Sequence, residues 1–291
     1  MGLIVVDACT RDGRGGSPTA VVIDGDADRT DDERRAVAST VGTSHTAFVD
    51  SSGVALPRVR FFTTAGELQN CGHGTIAAQA VLLHRDGRTQ HHGHQSTGNR
   101  TVAVNATRRR DGIEVWFEQG VIALSDRAEA ASSAIIAALG LTPSDIVADD
   151  LRVASPGTPR LLVRLRERRT LSAMRPDPAR LAAECRRLGY LGCFAYVLAP
   201  AVGPATARMF APAIGVDEDI VNANSVGCLA AHLLDTSRAS DIEVHQGDAL
   251  GRPSAVFATA TQTRDGIVAR IGGLVHHPRA QRNAFDLREV R

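Results

Sequence analysis

Residues 60–83 read Arg60-Phe61-Phe62-Thr63-Thr64-Ala65-Gly66-Glu67-Leu68-Gln69-Asn70-Cys71-Gly72-His73-Gly74-Thr75-Ile76-Ala77-Ala78-Gln79-Ala80-Val81-Leu82-Leu83. A β-prone run gives way to a polar loop, then to two glycines around a histidine, then to an Ala-rich apolar run that ends before Asp86-Gly87. The pattern predicts strand, loop and helix, with Thr75 opening a helix over 75–84. A second copy follows roughly 150 residues on: Arg208-Met209-Phe210, a loop containing Asn222-Ala223-Asn224, and an Ala-rich helix over 225–234. Two such β–loop–α–β–β devices imply two lobes with a cleft between them. Each lobe contributes a helix start whose N–H groups and positive dipole end can hold an anion.

Outward from these copies, short β-branched runs at 3–6, 19–23, 101–105, 113–117, 159–165, 194–198, 242–245, 255–260 and 267–271 read as strands. Thr30-Asp31-Asp32-Glu33 forms a capping box for a helix over 34–41 that Gly42 ends. Asp177-Pro178 starts a helix over 179–188 that stops at Gly189, and a further helix spans 127–139. Tight turns such as Arg110-Asp111-Gly112 join many strands directly. The fold class is therefore α+β with mixed, mostly antiparallel sheets, not a doubly wound parallel sheet.

The chain has 291 residues, 33 basic and 32 acidic, for a formal net charge of +1. That balance supplies no field for gripping phosphate backbones, so nucleic acid is not an expected partner. All 33 basic residues are arginine, which excludes a lysine Schiff base and the lysine of a phosphate-binding P-loop. Cys9, Cys71, Cys185, Cys193 and Cys228 show no CxxC spacing and suit reduced thiols in a cytoplasm. No membrane-spanning segment or signal peptide is read.

Chemistry concentrates at Cys71-Gly72-His73-Gly74-Thr75, where glycines admit close approach of a ligand and a helix start favours a thiolate. His45, in Thr43-Ser44-His45-Thr46, stands between a helix and a short strand and can serve as acid and base. Asp217-Glu218-Asp219 reads as carboxylates ahead of a helix start, with Asn224 as its N-cap and Cys228 in the core. His91-His92-Gly93-His94 reads as a solvated loop, and no metal centre is expected there or at His276-His277-Pro278. Nor does a GxSxG or dinucleotide fingerprint occur. Gly13-Arg14-Gly15-Gly16 leads into a strand.

Val6-Asp7-Ala8-Cys9-Thr10, Gly16-Ser17-Pro18-Thr19, Ser44-His45-Thr46-Ala47-Phe48, Arg60-Phe61-Phe62-Thr63, Cys71-Gly72-His73-Gly74-Thr75, Glu218-Asp219 through Asn224, Gln246-Gly247 and Gly251-Arg252-Pro253-Ser254 together resemble the PhzF family of phenazine-biosynthesis isomerases. The resemblance implies a diaminopimelate-epimerase-like fold of two pseudo-symmetric lobes, each a mixed sheet wrapped around a central helix. It also implies a homodimer and cofactor-free proton shuttling. His45 occupies the position of the family's catalytic glutamate, Asp219 that of its second-lobe aspartate, and Gly72-His73 its Gly-His pair. Its helix-capping serine falls on Asn224. In racemases of the same fold two cysteines face each other; Cys71 matches one, but its counterpart falls near Ile220.

The expected lobes are residues 1–120 and 121–274, with the tail 275–291 returning to the first. His45, Asp219 and His73 are the expected acid–base residues. Gly72, Gly74, Thr75, Asn224 and Ser225 are expected to hold a substrate carboxylate through helix N–H groups. The expected reaction moves a proton and a double bond within a small unsaturated carboxylic or amino acid, such as an alkylated or dienyl proline precursor of an antibiotic. A racemase, epimerase or dehydratase using Cys71 with His45, and a binding protein without turnover, are the alternatives.

Overall fold

A computed structural model describes residues 2–23, 29–51, 56–126, 129–200 and 202–276. The chain divides into two units, Met1–Glu118 with Gly272–Arg291, and Gln119–Ile271. In the first lie β1 (Gly2–Ala8), β2 (Ser17–Ile23), α1 (Asp31–Val41), β3 (His45–Asp50), β4 (Arg58–Thr63), β5 (Gly66–Leu68), α2 (Gly72–Arg85), β6 (Gln90–Thr97), β7 (Arg100–Arg108) and most of β8 (Gly112–Val121). The second holds β9 (Ala123–Ser125), α3 (Glu129–Ala138), β10 (Arg152–Ser155), β11 (Arg160–Arg164), α4 (Arg168–Ala173), α5 (Pro178–Leu188), β12 (Cys193–Val197), β13 (Ala205–Ala211), β14 (Val216–Asp219), α6 (Ala223–Asp235), β15 (Asp241–Gln246) and β16 (Ser254–Thr263). Strand β17 (Gly266–His276) carries the chain back to the first unit.

In the first unit β1 pairs antiparallel with β2, β2 parallel with β3, and β3 antiparallel with β4. Strands β6, β7 and β8 form antiparallel hairpins. These strands supply the walls for α2, which packs against β1, β2, β3, β4 and β7 and is buried from Gly72 through Leu83. A helix apolar on all faces is a core helix. In the second unit β11 runs parallel to β12, β12 antiparallel to β13, and β13 parallel to β15. Helix α6 packs there against β10, β15 and β16, buried from Ser225 through Leu233. A separate layer of α3 and α5 closes a core containing Ile135, Leu139, Leu161, Val163 and Leu181.

The two copies of the device share one clamp. Arg60 donates from Nε and Nη2 to Glu67 at 2.8 and 2.6 Å across β4–β5, with its guanidinium 5.0 Å from the Phe62 ring centroid. Arg208 donates in the same way to Glu218 at 2.8 and 2.7 Å across β13–β14, 4.9 Å from the Phe210 ring. Planar guanidinium is the group that can both fork onto a carboxylate and lie against an aromatic face.

The end signals of α1 and α5 act where the sequence puts them. Glu33 N–H donates to Thr30 Oγ1 at 3.3 Å while Glu33 Oε2 accepts from Thr30 N–H at 2.6 Å, and Gly42 ends α1 at φ 69°. Asp177 caps α5 and Gly189 ends it at φ 69°. Gly16 has φ +79°, and a Cβ there would lie 2.8 Å from Ala8 O, so the glycine loop is a tight turn between β1 and β2.

Four readings are corrected. The His91-His92-Gly93-His94 segment is not a solvated loop but strand β6, held by β7 and anchored by a fully buried Gln95 that donates to Thr97 Oγ1 at 2.8 Å and accepts from Gln79 at 2.9 Å. Asp217, Glu218 and Asp219 belong to strand β14; Glu218 is spent on the Arg208 clamp. Helix α2 opens at Gly72 rather than Thr75, because Thr75 N–H already donates to Cys71 O at 2.9 Å. Helix α6 is capped by Asn222, whose Oδ1 accepts from Ser225 N–H at 3.0 Å, so Asn224 lies inside the first turn. The start of the 127–139 helix and the tail from 277 fall outside the described residues. Among the described residues no helix is long and apolar enough to cross a membrane.

Asp150 ties the second unit together. It is 1% exposed and accepts from Arg164 at 2.5 Å, from His232 Nε2 at 3.0 Å and from Arg238. Burial raises its pKa, but the bonds from Arg164, Arg238 and His232 outweigh this and hold it below the usual carboxylate value of 3.8. A depressed carboxylate contributes stability above its unfolded pKa and loses it as pH falls through the folded one. Asp150→Ala should therefore cost about 3–5 kcal/mol in urea unfolding at pH 7, and the gap to wild type should shrink as the pH is lowered below 3.8.

Candidate active site

Three side chains named by the sequence meet in the first unit. Helix α1 ends at the left-handed Gly42, and the chain enters β3 at His45, in parallel register with Thr19 of β2. That register places the imidazole of His45 beside the start of α2. His73 Nε2 lies 2.9 Å from His45 Nδ1, with ring centroids 4.4 Å apart and planes at 79°. Cys71 Sγ lies 3.6 Å from the same His73 nitrogen, and Ser44 Oγ lies 2.9 Å from His45 Nδ1. His45, Cys71 and His73 are 8%, 5% and 4% exposed, so the cluster is desolvated enough for each polar contact to count.

A hydrogen bond between two ring nitrogens requires that one of them carry the proton. With the proton on His45 Nδ1, neutral His45 presents a lone pair at Nε2 and is a base. With it on His73 Nε2, neutral His45 is protonated at Nε2 and is an acid. The single contact thus couples the state of His45 to that of His73. Ser44 Oγ serves both states, since a hydroxyl donates or accepts.

The α2 start is built for this pair. Its N-cap is Cys71, which makes no side-chain capping bond, and His73 stands in the first turn at the positive end of the helix. Gly74 is needed for packing: a Cβ there would sit 2.8 Å from the Phe61 ring and 2.9 Å from Cys71 Sγ. Thr75 Oγ1 accepts from Gln95 at 3.4 Å.

The remaining sequence candidates belong to the second unit, at the start of α6. Asp219 Oδ2 accepts from Asn222 Nδ2 at 3.1 Å, and Ser225 Oγ donates to Asn222 Oδ1 at 2.8 Å. Asn224 lies within the first turn of α6, and its backbone O accepts from Gln119 Nε2 of β8 at 3.0 Å.

Two groups escaped the sequence reading. Asn222 joins Asp219 to Ser225. Arg160, 2% exposed, donates to Asn222 Oδ1 at 3.3 Å, Ser225 Oγ at 3.1 Å and Thr158 O at 3.0 Å, and pairs with no carboxylate among the described residues. Burial lowers its pKa. The one available signal was a charge at the head of the apolar run Leu161-Leu162-Val163.

Known structures of the same architecture place it in a class. The PhzF-family phenazine biosynthesis protein of Bacillus anthracis matches with a TM-score of 0.82 at 22% identity, over 96% of this chain and 98% of that one. A probable proline racemase from Agrobacterium radiobacter matches with a TM-score of 0.60 at 13% identity, over 98% and 94%. The fold is the diaminopimelate-epimerase-like one.

Within that class the chain belongs to the PhzF family. The signature described as phenazine biosynthesis-like protein, PhzC-PhzF, matches residues 6–272. A Salmonella typhimurium protein named uncharacterized isomerase YddE is 32% identical over 273 residues, 88% of this chain and 89% of its own. The trans-2,3-dihydro-3-hydroxyanthranilate isomerase of Pseudomonas chlororaphis is 29% identical over 273 residues, 90% and 91% of the two chains. The protein is thus an enzyme of an isomerase family.

Gly74→Ala tests the packing of the cluster. The added methyl has to displace Phe61 or Cys71, at a cost of about 1–3 kcal/mol in thermal or urea unfolding, with loss of turnover. An unchanged stability would show that this helix start tolerates movement.

Proposed function

We propose that this enzyme moves a proton, and with it a double bond, within a small unsaturated carboxylic or amino acid, without a cofactor. His45 and His73 form its acid–base pair. The observation that carries this reading is the 2.9 Å contact between His45 Nδ1 and His73 Nε2 at a buried helix start. Neutral His45 removes a proton from carbon at Nε2. The imidazolium so formed returns that proton from Nε2 at a different carbon of the conjugated system, while its Nδ1 proton is shared with His73 Nε2. The substrate carboxylate acidifies the migrating hydrogen, and the positive end of α2 favours the charge that develops on it. Imidazole in place of a carboxylate base removes a repulsion against an anionic substrate. The name of the Pseudomonas relative supports a cyclic unsaturated amino acid as the substrate class. The family description, phenazine biosynthesis-like protein, supports a setting in bacterial secondary metabolism, where unsaturated proline precursors of antibiotics are one substrate class.

A second reading, racemisation or epimerisation at an α-carbon, draws on Cys71 Sγ lying 3.6 Å from His73 Nε2. Incubating unsaturated prolines and dihydroanthranilates in deuterated buffer and following them by NMR separates the two. Double-bond migration with label at the new sp³ carbon supports the first, α-label with inversion the second, and binding without exchange would leave neither.

His45→Ala and His73→Ala should each lower turnover by about 10²–10⁴-fold with an unchanged circular dichroism spectrum. Cys71→Ser should lower it far less. Full activity in His45→Ala would remove its assigned role, and a loss in Cys71→Ser as deep as in His45→Ala would move the chemistry to the thiol. An Asp219→Asn variant that loses turnover while His45→Ala keeps it would move the acid–base role to the second unit.

A further inference from the structure

We infer that His45, Cys71 and His73 also form a binding site for a zinc-class divalent ion, and that the ion switches the enzyme off by occupying the nitrogens of the proton relay. One observation decides the ligand set: His45, Cys71 and His73 are all buried, and one ligand atom from each lies within 4.8 Å of the other two. Two imidazoles and a thiol are borderline-soft donors, the set that selects zinc over magnesium or calcium.

Donor spacing suits an ion for two of the three pairs, and the third pair lies within 4.8 Å. Metal–nitrogen and metal–sulfur bonds of about 2.0–2.1 and 2.3 Å at tetrahedral angles set neighbouring ligand atoms about 3.3–3.6 Å apart. Cys71 Sγ and His73 Nε2 already stand at 3.6 Å. His45 Nδ1 and His73 Nε2, at 2.9 Å, are drawn in by the proton they share, and need part by only about 0.4 Å once it is gone. The ligands come from two elements locked in register: His45 from the first residue of β3, Cys71 and His73 from the cap and first turn of α2. Three protein ligands leave a fourth position for water.

The proton balance is definite. Coordination takes the lone pairs of His45 Nδ1 and His73 Nε2, so whichever ring held the shared proton there must carry it on its other nitrogen. That step releases nothing. The Cys71 thiol gives up its proton to become the thiolate ligand, so binding releases about one proton per ion when both rings start neutral. With the ion in place no proton can pass between the two rings. The inhibition therefore rests on the acid–base reading above, whereas the binding itself does not.

The test uses full-length, untagged, chelator-treated protein titrated with cobalt(II) chloride as a spectroscopic probe. Expected are visible ligand-field bands of a tetrahedral site, a near-ultraviolet thiolate-to-cobalt band, saturation at one ion per chain, and bleaching by added zinc. Cys71→Ser should abolish the thiolate band, and His73→Gln should weaken binding by about a hundredfold or more, since even an outer partner of a ligand is worth about 10–100-fold. His92→Gln, on β6, should change neither. The proposal is overturned if wild type gives no thiolate band, or if the band persists in Cys71→Ser and so comes from another cysteine. Zinc should suppress turnover, with recovery on adding chelator. A zinc-loaded enzyme that keeps its full rate would leave the metal site standing and overturn the inhibition, and with it the His45–His73 relay.

Discussion

Helix α2 has no solvent face before its last turn. Every residue from Gly72 through Leu83 is buried against strands on several sides, and His73 and Thr75 stand in its first turn, where the helix dipole is positive. His73 is tolerated inside this apolar surround because β3 delivers a second imidazole within hydrogen-bonding distance. A buried polar group without a partner costs several kcal/mol by transfer scales, roughly 2–7, so the pair is a structural requirement as well as a chemical resource. Its geometry follows from the parallel register of β2 and β3, which fixes His45 opposite Thr19.

Much of the fold was legible because local rules agree with one another here. The capping box at Thr30–Glu33, the Asp177-Pro178 start and the glycine stops at 42 and 189 are short-range devices, and they act as read. The repeat of Arg60-Phe61-Phe62 and Arg208-Met209-Phe210 located both central helices. Strand β6 was hidden because its histidines, glycine and glutamines are not β-prone; its pairing with β7 overrides propensity. At the start of α6, two asparagines two residues apart are equally good caps on paper. Only the backbone path chooses Asn222.

For the site, residue types were legible and their contacts were not. The family resemblance named His73 and Asp219 as the two possible partners of His45 without choosing between them, because the His45–His73 adjacency depends on pairing between segments separated in sequence. Cys71 looked like a reactive thiol in a turn, whereas it is the buried cap of a core helix beside an imidazole. Arg160 was invisible as a site residue because an arginine at a strand start is ordinarily a surface charge; burial beside Asn222 and Ser225 gives it a different meaning.

Unit 1 is discontinuous, and this bears on how the molecule is made. Its first strand is completed at one edge only by β17, through the pairing of Ala8 with Val275 and the bond from Thr10 N–H to Leu274 O at 2.9 Å. Unit 2 is one uninterrupted stretch ending at Ile271. During synthesis from the N-terminus, the whole of the inserted unit is therefore made before Gly272–His276, the part of β17 that completes the outer one. Closure over so long a stretch of sequence is slow compared with local pairing. The later-encoded unit is thus the first to have all its parts, and the earlier-encoded one, which carries the histidine pair, matures last.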